Sequence, residues 1–198
     1  MNYHLIMGHY ITNQELIVGA VILAALVAVA IVVFIQNRRT RTTGLKNRFG
    51  SEYERAVVTH GSARQAEAKL SDRETRVQAL KIRELGATER ERFVTEWHTI
   101  QSRFVDHPKA AVTEADGLIN ALLIARGYPQ AEFEQRAADI SVNYPRFMEN
   151  YRVAHSIAVR TDNVEASTEE QRTAMIQYRE IFDDLLQAPK ALEARTAA

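Results

Sequence analysis

The residues best suited to proton transfer or metal binding in this chain are its histidines, and their neighbours decide what they can do. Di-metal carboxylate bundles use Glu-x-x-His pairs that point inward from facing helices. The residues three before His60, His98, His107 and His155 are Val57, Thr95, Phe104 and Arg152, so the pair is absent at each of them. No two of these histidines stand within seven residues of each other, which removes the spacing that places two ligands on one helical face. The chain has no cysteine. Disulfides, thiolate metal sites and a cysteine nucleophile are therefore ruled out, and a cytoplasmic setting suits the composition. No GxxxxGK[ST] or GxGxxG run is present to cradle a phosphate. A Ser-His-Asp site assembled across helices needs no local spacing, and nothing in the sequence marks one. On these grounds no catalytic residue, cofactor or metal ligand is assigned, and an enzyme is not the favoured reading.

Polar residues near apolar faces remain. His155 follows Tyr151 by four residues, so the two share the edge of one helical face. A histidine there could titrate near neutral pH and switch a contact; the simpler reading has it hydrogen-bonded in place. Arg126 in "ARGYP" and Arg136 in "FEQRAAD" are candidate anion-binding residues, each expected instead to pair with a carboxylate such as Glu132, Glu134 or Asp139. Tyr151, His155 and Arg126 together make a speculative polar site. Tyr128 with Pro129, and Tyr144 with Pro145, read as aromatic plugs at corners between helices, with peptide docking as the alternative.

The element that positions all of this is the first one. Leu16 to Ile35 carries no polar side chain, and at about 1.5 Å per residue it matches a hydrocarbon core about 30 Å thick. It reads as a transmembrane helix. A cleaved signal peptide lacks its basic n-region here, because Glu15 is the only formal side-chain charge before Leu16. Beyond the span, Arg38, Arg39, Arg41, Lys46 and Arg48 form a basic cluster with no acid among them, whereas the N-terminal flank has no Lys or Arg. The positive-inside rule puts the N-terminus outside and residues 36 to 198 in the cytoplasm, which in a bacterium means a single-pass protein of the inner membrane. The same cations would be drawn to anionic headgroups, although a topology signal alone explains them. Ala20, Ala24 and Ala28 line one face of the span, where close approach of a second copy would give a homo-oligomer.

From Phe49 onward the chain holds 20 Lys and Arg against 24 Asp and Glu. Interleaved, mildly acidic charge of this kind disfavours a dedicated nucleic-acid binder. About 150 residues suffice for one domain with a real core. Their periodicity is helical throughout, with no alternating strand pattern.

Residues 36–48 are expected as a basic juxtamembrane linker, and 49–87 as an exposed helical neck. Within that neck, Ser51 with Glu54 and Gly61 bound a short helix; a charged, thinly apolar helix follows from Ser62 to Leu85, with an oligomerising coiled-coil stalk as its alternative. A compact bundle is expected over 88–187. Thr88 with Glu91 opens a stripe of Phe93, Trp97, Ile100 and Phe104. Pro108 breaks that helix, and Val112, Ala115, Ile119 and Leu122 form the next stripe, closed by Gly127. A short helix is expected over 131–140. Pro145 opens another with Phe147, Tyr151, Ala154 and Ala158 inward, and Ser167 with Glu170 caps the last, whose face is Met175, Tyr178, Phe182 and Leu185. Residues 1–15 are read as a short extracytoplasmic N-terminus and 188–198 as a flexible tail.

At residues 91 to 160, "ERFVTEWHTIQSRFVDHPKAAVTEADGLINALLIARGYPQAEFEQRAADISVNYPRFMENYRVAHSIAVR", the chain resembles a widespread family of uncharacterised small bacterial single-pass membrane-anchored helical proteins. Trp97, Gln101, Phe104, Pro108, Asp116, Arg126, Gly127, Tyr128, Pro129, Tyr151 and His155 carry the resemblance. It implies an anchor with a helical domain and transfers no chemistry. The leading expectation is therefore a cytoplasmic helical module, held on the bilayer, that binds a protein partner as an adaptor or regulator. The alternatives are a small-ligand sensor or enzyme with an interhelical pocket, and a structural stalk.

Overall fold

The structure, a computed structural model, describes residues 13–160 and 166–187, with side chains from residue 17. The segment before residue 13 and the tail expected over 188–198 lie outside the described residues. Among the described residues every regular element is helical: α1 (Asn13–Phe49), α2 (Ser51–His60), α3 (Ala63–Ala79), α4 (Ala87–Arg103), α5 (Pro108–Ala125), α6 (Phe133–Ile140), α7 (Met148–Ala158) and α8 (Thr168–Leu186), with a 3-10 turn at Pro145–Phe147 before α7. The protein is all-α. It divides into two compact units between Gly44 and Leu45.

The first unit is most of α1. Ile17, Leu23, Leu26, Val29 and Phe34 are all more than half exposed, and the helix is long and apolar enough to cross a membrane. The stretch expected as a linker, 36–48, is helical and continuous with the apolar stretch before it. Arg, Gln and Lys are strong helix formers, no proline interrupts them, and the Thr40 hydroxyl donates to the Gln36 carbonyl at 3.0 Å within the helix.

In the second unit, α4, α5, α7 and α8 build the main core. Phe93 and Trp97 from α4, Val112, Ile119 and Leu122 from α5, and Tyr178, Phe182 and Leu185 from α8 are buried as their spacing predicts. Trp97 stacks on Phe182 with ring centroids 4.9 Å apart. On α7 the inward face is Met148, Tyr151, Ala154 and Ile157. Phe147 and Ala158 are only partly buried, because the 3-10 turn at Pro145–Phe147 delays the start of the α-helix to Met148 and shifts the face.

Residues 49–87 do not stand apart as an exposed neck. Phe49, Tyr53, Ala56, Ala66, Leu70 and Val77 are buried with Leu45 and Val142 in a second cluster. The α2–α3 pair thus packs its thin apolar faces on each other, and α3 also lies against α6. The segment after α3 runs extended across the end of α5, where the Arg83 amide donates to the Arg126 carbonyl at 2.9 Å. Gly127 makes that crossing feasible: its φ is +95°, and a Cβ there would stand 2.4 Å from the Lys81 carbonyl oxygen.

Helix starts differ from two of the three capping boxes expected. Ser51 is the first residue of α2 rather than its cap, which is Gly50. Gly86, not Thr88, precedes α4, and its amide donates to the Glu89 carboxylate at 3.0 Å. Ser167 does cap α8, accepting from the Glu170 amide while its own amide donates to Glu170 Oε2 at 2.8 Å.

Candidate functional site

Three polar clusters lie inside the second unit. The first centres on Asp116, which α5 presents beside its apolar stripe, four residues after Val112 and three before Ile119. Tyr178 from α8 donates its hydroxyl to Asp116 Oδ1 at 2.8 Å, and Nδ1 of His155 from α7 stands 3.0 Å from the same oxygen. A carboxylate accepts only, so His155 carries its proton on Nδ1. Phe133 from α6 stacks flat on the imidazole with centroids 3.7 Å apart. It also packs on Tyr151 at 5.2 Å. Arg136, buried beside it, donates from Nε to the Tyr151 hydroxyl at 2.9 Å and from Nη1 to Asn120 Oδ1 and the Ala131 carbonyl, each at 3.2 Å.

The electrostatics follow from burial and pairing. Burial pushes the Asp116 carboxyl up, but the hydrogen bonds from His155 and Tyr178 and the nearby positive charge outweigh it and hold the group below its ordinary value. Burial, then the Asp116 charge, raises the Tyr178 phenol. Burial likewise raises Tyr151, to about 12, so both phenols stay protonated at neutral pH.

Of the speculative trio, Tyr151 and His155 do share this network, joined through Phe133, while Arg126 does not. It caps α5 ten residues beyond Asp116, about 15 Å along the helix. Nor does either arginine take the carboxylate partner expected of it. Arg136 bonds to a phenol, an amide and a carbonyl. Arg126, 1% exposed, donates through Nη1 to the carbonyls of Leu185 and Gln187, the last turn of α8, where the carbonyls of a helix C-terminus attract a cation. Tyr128 and Tyr144 are buried at corners as expected, and Asn143 Nδ2 donates to the Tyr128 hydroxyl at 2.8 Å.

The second cluster was not foreseen. Glu52, only 4% exposed, receives Arg152 of α7 at 3.3 Å and Arg73 of α3 at 3.7 Å. Arg152 also reaches Glu134 at 3.0 Å. The third is Asp139, which receives Arg76 Nε at 2.7 Å and Gln135 Nε2 at 3.0 Å. These ion pairs seam α2 and α3 to α6 and α7. Their signal in the sequence is faint, since a charged residue on a charged helix looks solvated until its partner 100 positions away is known.

The basic cluster after the apolar stretch divides. Lys46 lies 3.9 Å from Glu54 and Arg48 3.0 Å from Glu74, both within the second unit. Arg38, Arg39 and Arg41 are exposed on α1 in the first.

A small cavity beside Tyr151, between Tyr144, Met148 and Leu185, holds about 10 Å³, room for about one water. An interhelical sensor or enzyme needs several hundred Å³ there. The larger space is an open groove of about 790 Å³ between the starts of α5 and α8, lined by Asp106, His107, Lys109, Thr113, Glu114 and Thr168. No group of three or more His, Asp or Glu side chains among the described residues is placed to hold a metal. Comparison with known proteins adds no relative: no family model, no curated protein and no solved structure matches the chain.

Proposed function

We propose that this chain is a single-pass protein of the bacterial inner membrane, with its N-terminus outside, whose cytoplasmic helical domain binds a protein partner as an adaptor or regulatory module. The observation that carries the reading is the contrast in space. The cavity beside Tyr151, at the edge of the Asp116 network, has room for about one water, while ligand-sized volume lies in an open groove at the α5 and α8 starts. Small molecules are bound in concave sites that enclose most of their surface; an open groove with Asp106, Lys109 and Glu114 on its walls suits a segment of another protein. Arg38, Arg39 and Arg41 beyond the span, with no Lys or Arg before it, support the orientation. Kinship with the membrane-anchored helical family belongs to the same proposal.

A photo-crosslinking residue placed at Ala110 in the groove tests it, with Lys69 on the exposed side of α3 as the comparison. Irradiation of cells is expected to give a discrete adduct from position 110 and none from 69, and filling the groove with Thr113→Trp is expected to remove it. Equal labelling from both positions, or an adduct indifferent to Thr113→Trp, contradicts the reading.

A further inference from the structure

We infer that Arg38 and Arg39, with Arg41 beside them, form a binding site for anionic phospholipid headgroups, and that Lys46 and Arg48 take no part in it. The inference rests on the membrane reading above and deepens it.

A basic run after a span can lie in an extended linker, at any distance from the bilayer. Here it does not, because α1 runs on as helix through it. With a rise of about 1.5 Å per residue, Arg38, Arg39 and Arg41 follow Ile35 by about 4.5 to 9 Å. A headgroup layer is about 5 to 8 Å deep on each side of the hydrocarbon. Arg38 and Arg39 therefore start near the depth of the phosphates, and Arg41 just beyond it, where long side chains can also reach outward or back along the interface. Successive helical residues turn by about 100°, so the three spread over a little less than half the circumference. They are exposed, and no acidic residue lies between Gln36 and Phe49. Guanidinium groups present forked donors that match phosphate oxygens.

Lys46 and Arg48 belong to the same sequence cluster yet differ from Arg38 and Arg39 in two ways. Each has a carboxylate partner, Glu54 at 3.9 Å and Glu74 at 3.0 Å. Each also flanks the helix end that buries Leu45 and Phe49 in the second cluster. Both partners belong to the folded second unit.

The test uses the full chain reconstituted in phosphatidylcholine vesicles with a minor fraction of phosphatidylglycerol. Spin-labelled phosphatidylglycerol and phosphatidylcholine report, by the motionally restricted fraction of their spectra, which lipid gathers at the protein. Several-fold preference for phosphatidylglycerol is expected, falling toward parity near about 1 M salt, where the screening length is about 3 Å. Arg38→Gln with Arg39→Gln is expected to lower the preference roughly twofold or more. Lys46→Gln with Arg48→Gln is expected to leave it unchanged. No preference in the unaltered protein, or a loss with the second pair as large as with the first, overturns the inference. Alkaline carbonate extraction of the same vesicles separates the two levels: a chain that washes out sinks the membrane reading as well, and one that stays without preferring the anionic lipid sinks only this site.

Discussion

Replacing Asp116 by alanine removes the acceptor shared by two helices, and its cost can be built from what each donor loses. Tyr178 is 0% exposed, so its hydroxyl has no water to turn to. A buried donor left unmet costs about 1–3 kcal/mol. His155 is 16% exposed and recovers solvent, so its loss is nearer the net worth of a bond to a charged group, about 1.5 kcal/mol. Relief from holding a half-buried carboxylate out of water offsets part of this. Asp116→Ala is therefore expected to destabilise the folded unit by about 2–4 kcal/mol. Tyr178→Phe leaves the carboxylate with His155 and some solvent, and should cost about 1–1.5 kcal/mol.

The informative variant is the double one. Phenylalanine needs no acceptor, so the penalty for a stranded hydroxyl vanishes, and the double variant should cost less than the two singles added together by about 1–2 kcal/mol. Urea unfolding in detergent micelles, followed by Trp97 fluorescence, reads this directly. Trp97 is the only tryptophan, and its stacking on Phe182 ties its signal to the α4–α8 contact. A shift of midpoint at constant slope is a change in stability. Strict additivity of the two substitutions would refute the shared-acceptor account.

The other expectations use the same assay. Gly127→Ala must accept a φ of +95° and a Cβ 2.4 Å from the Lys81 carbonyl oxygen; about 2–4 kcal/mol of destabilisation is expected, and a change under 0.5 kcal/mol, on the order of a neutral surface substitution, would remove the close crossing from the account. Glu52→Gln strands Arg73 and leaves Arg152 with Glu134 alone, so about 3 kcal/mol should be lost, the low end for breaking a buried pair; an unchanged midpoint would mean that the seam carries no stability. Asp116 has a folded-state pKa below its unfolded one, so the stability it supplies is complete above the unfolded value and lost as pH falls through the folded value. Between neutral pH and about 3 the unaltered protein should therefore lose more stability than Asp116→Asn does; parallel pH profiles would contradict the sign.

Much of this architecture is legible in the residues. Long stripes such as Val112, Ala115, Ile119 and Leu122 fix a helix and its buried face because a 3.6-residue period has one interpretation at that length. Short-range rules did less well. At Ser51 and Thr88 the box spacing was present, yet a glycine just upstream took the cap. The charged helix α3 looked solvated because its few apolar positions are enough only with α2 and Val142 against them. Arg126 and Arg136 had carboxylates nearby in sequence but bond to carbonyls and a phenol supplied from elsewhere in the fold. The Asp116 network mixed the two: a polar residue flanking a buried stripe marks it, and only the fold supplies Tyr178 across 62 positions.

Side-specific labelling tests the central claim, a membrane span with the helical domain on the cytoplasmic side. The chain has no cysteine of its own, so single thiols can be introduced by Asn2→Cys and, on the exposed face of α3, Lys69→Cys. Intact cells are treated with a membrane-impermeant maleimide, and permeabilised cells serve as the reference. The account predicts labelling of the Asn2 variant in intact cells and of the Lys69 variant only after permeabilisation. Labelling at position 69 in intact cells would place the domain outside and contradict it.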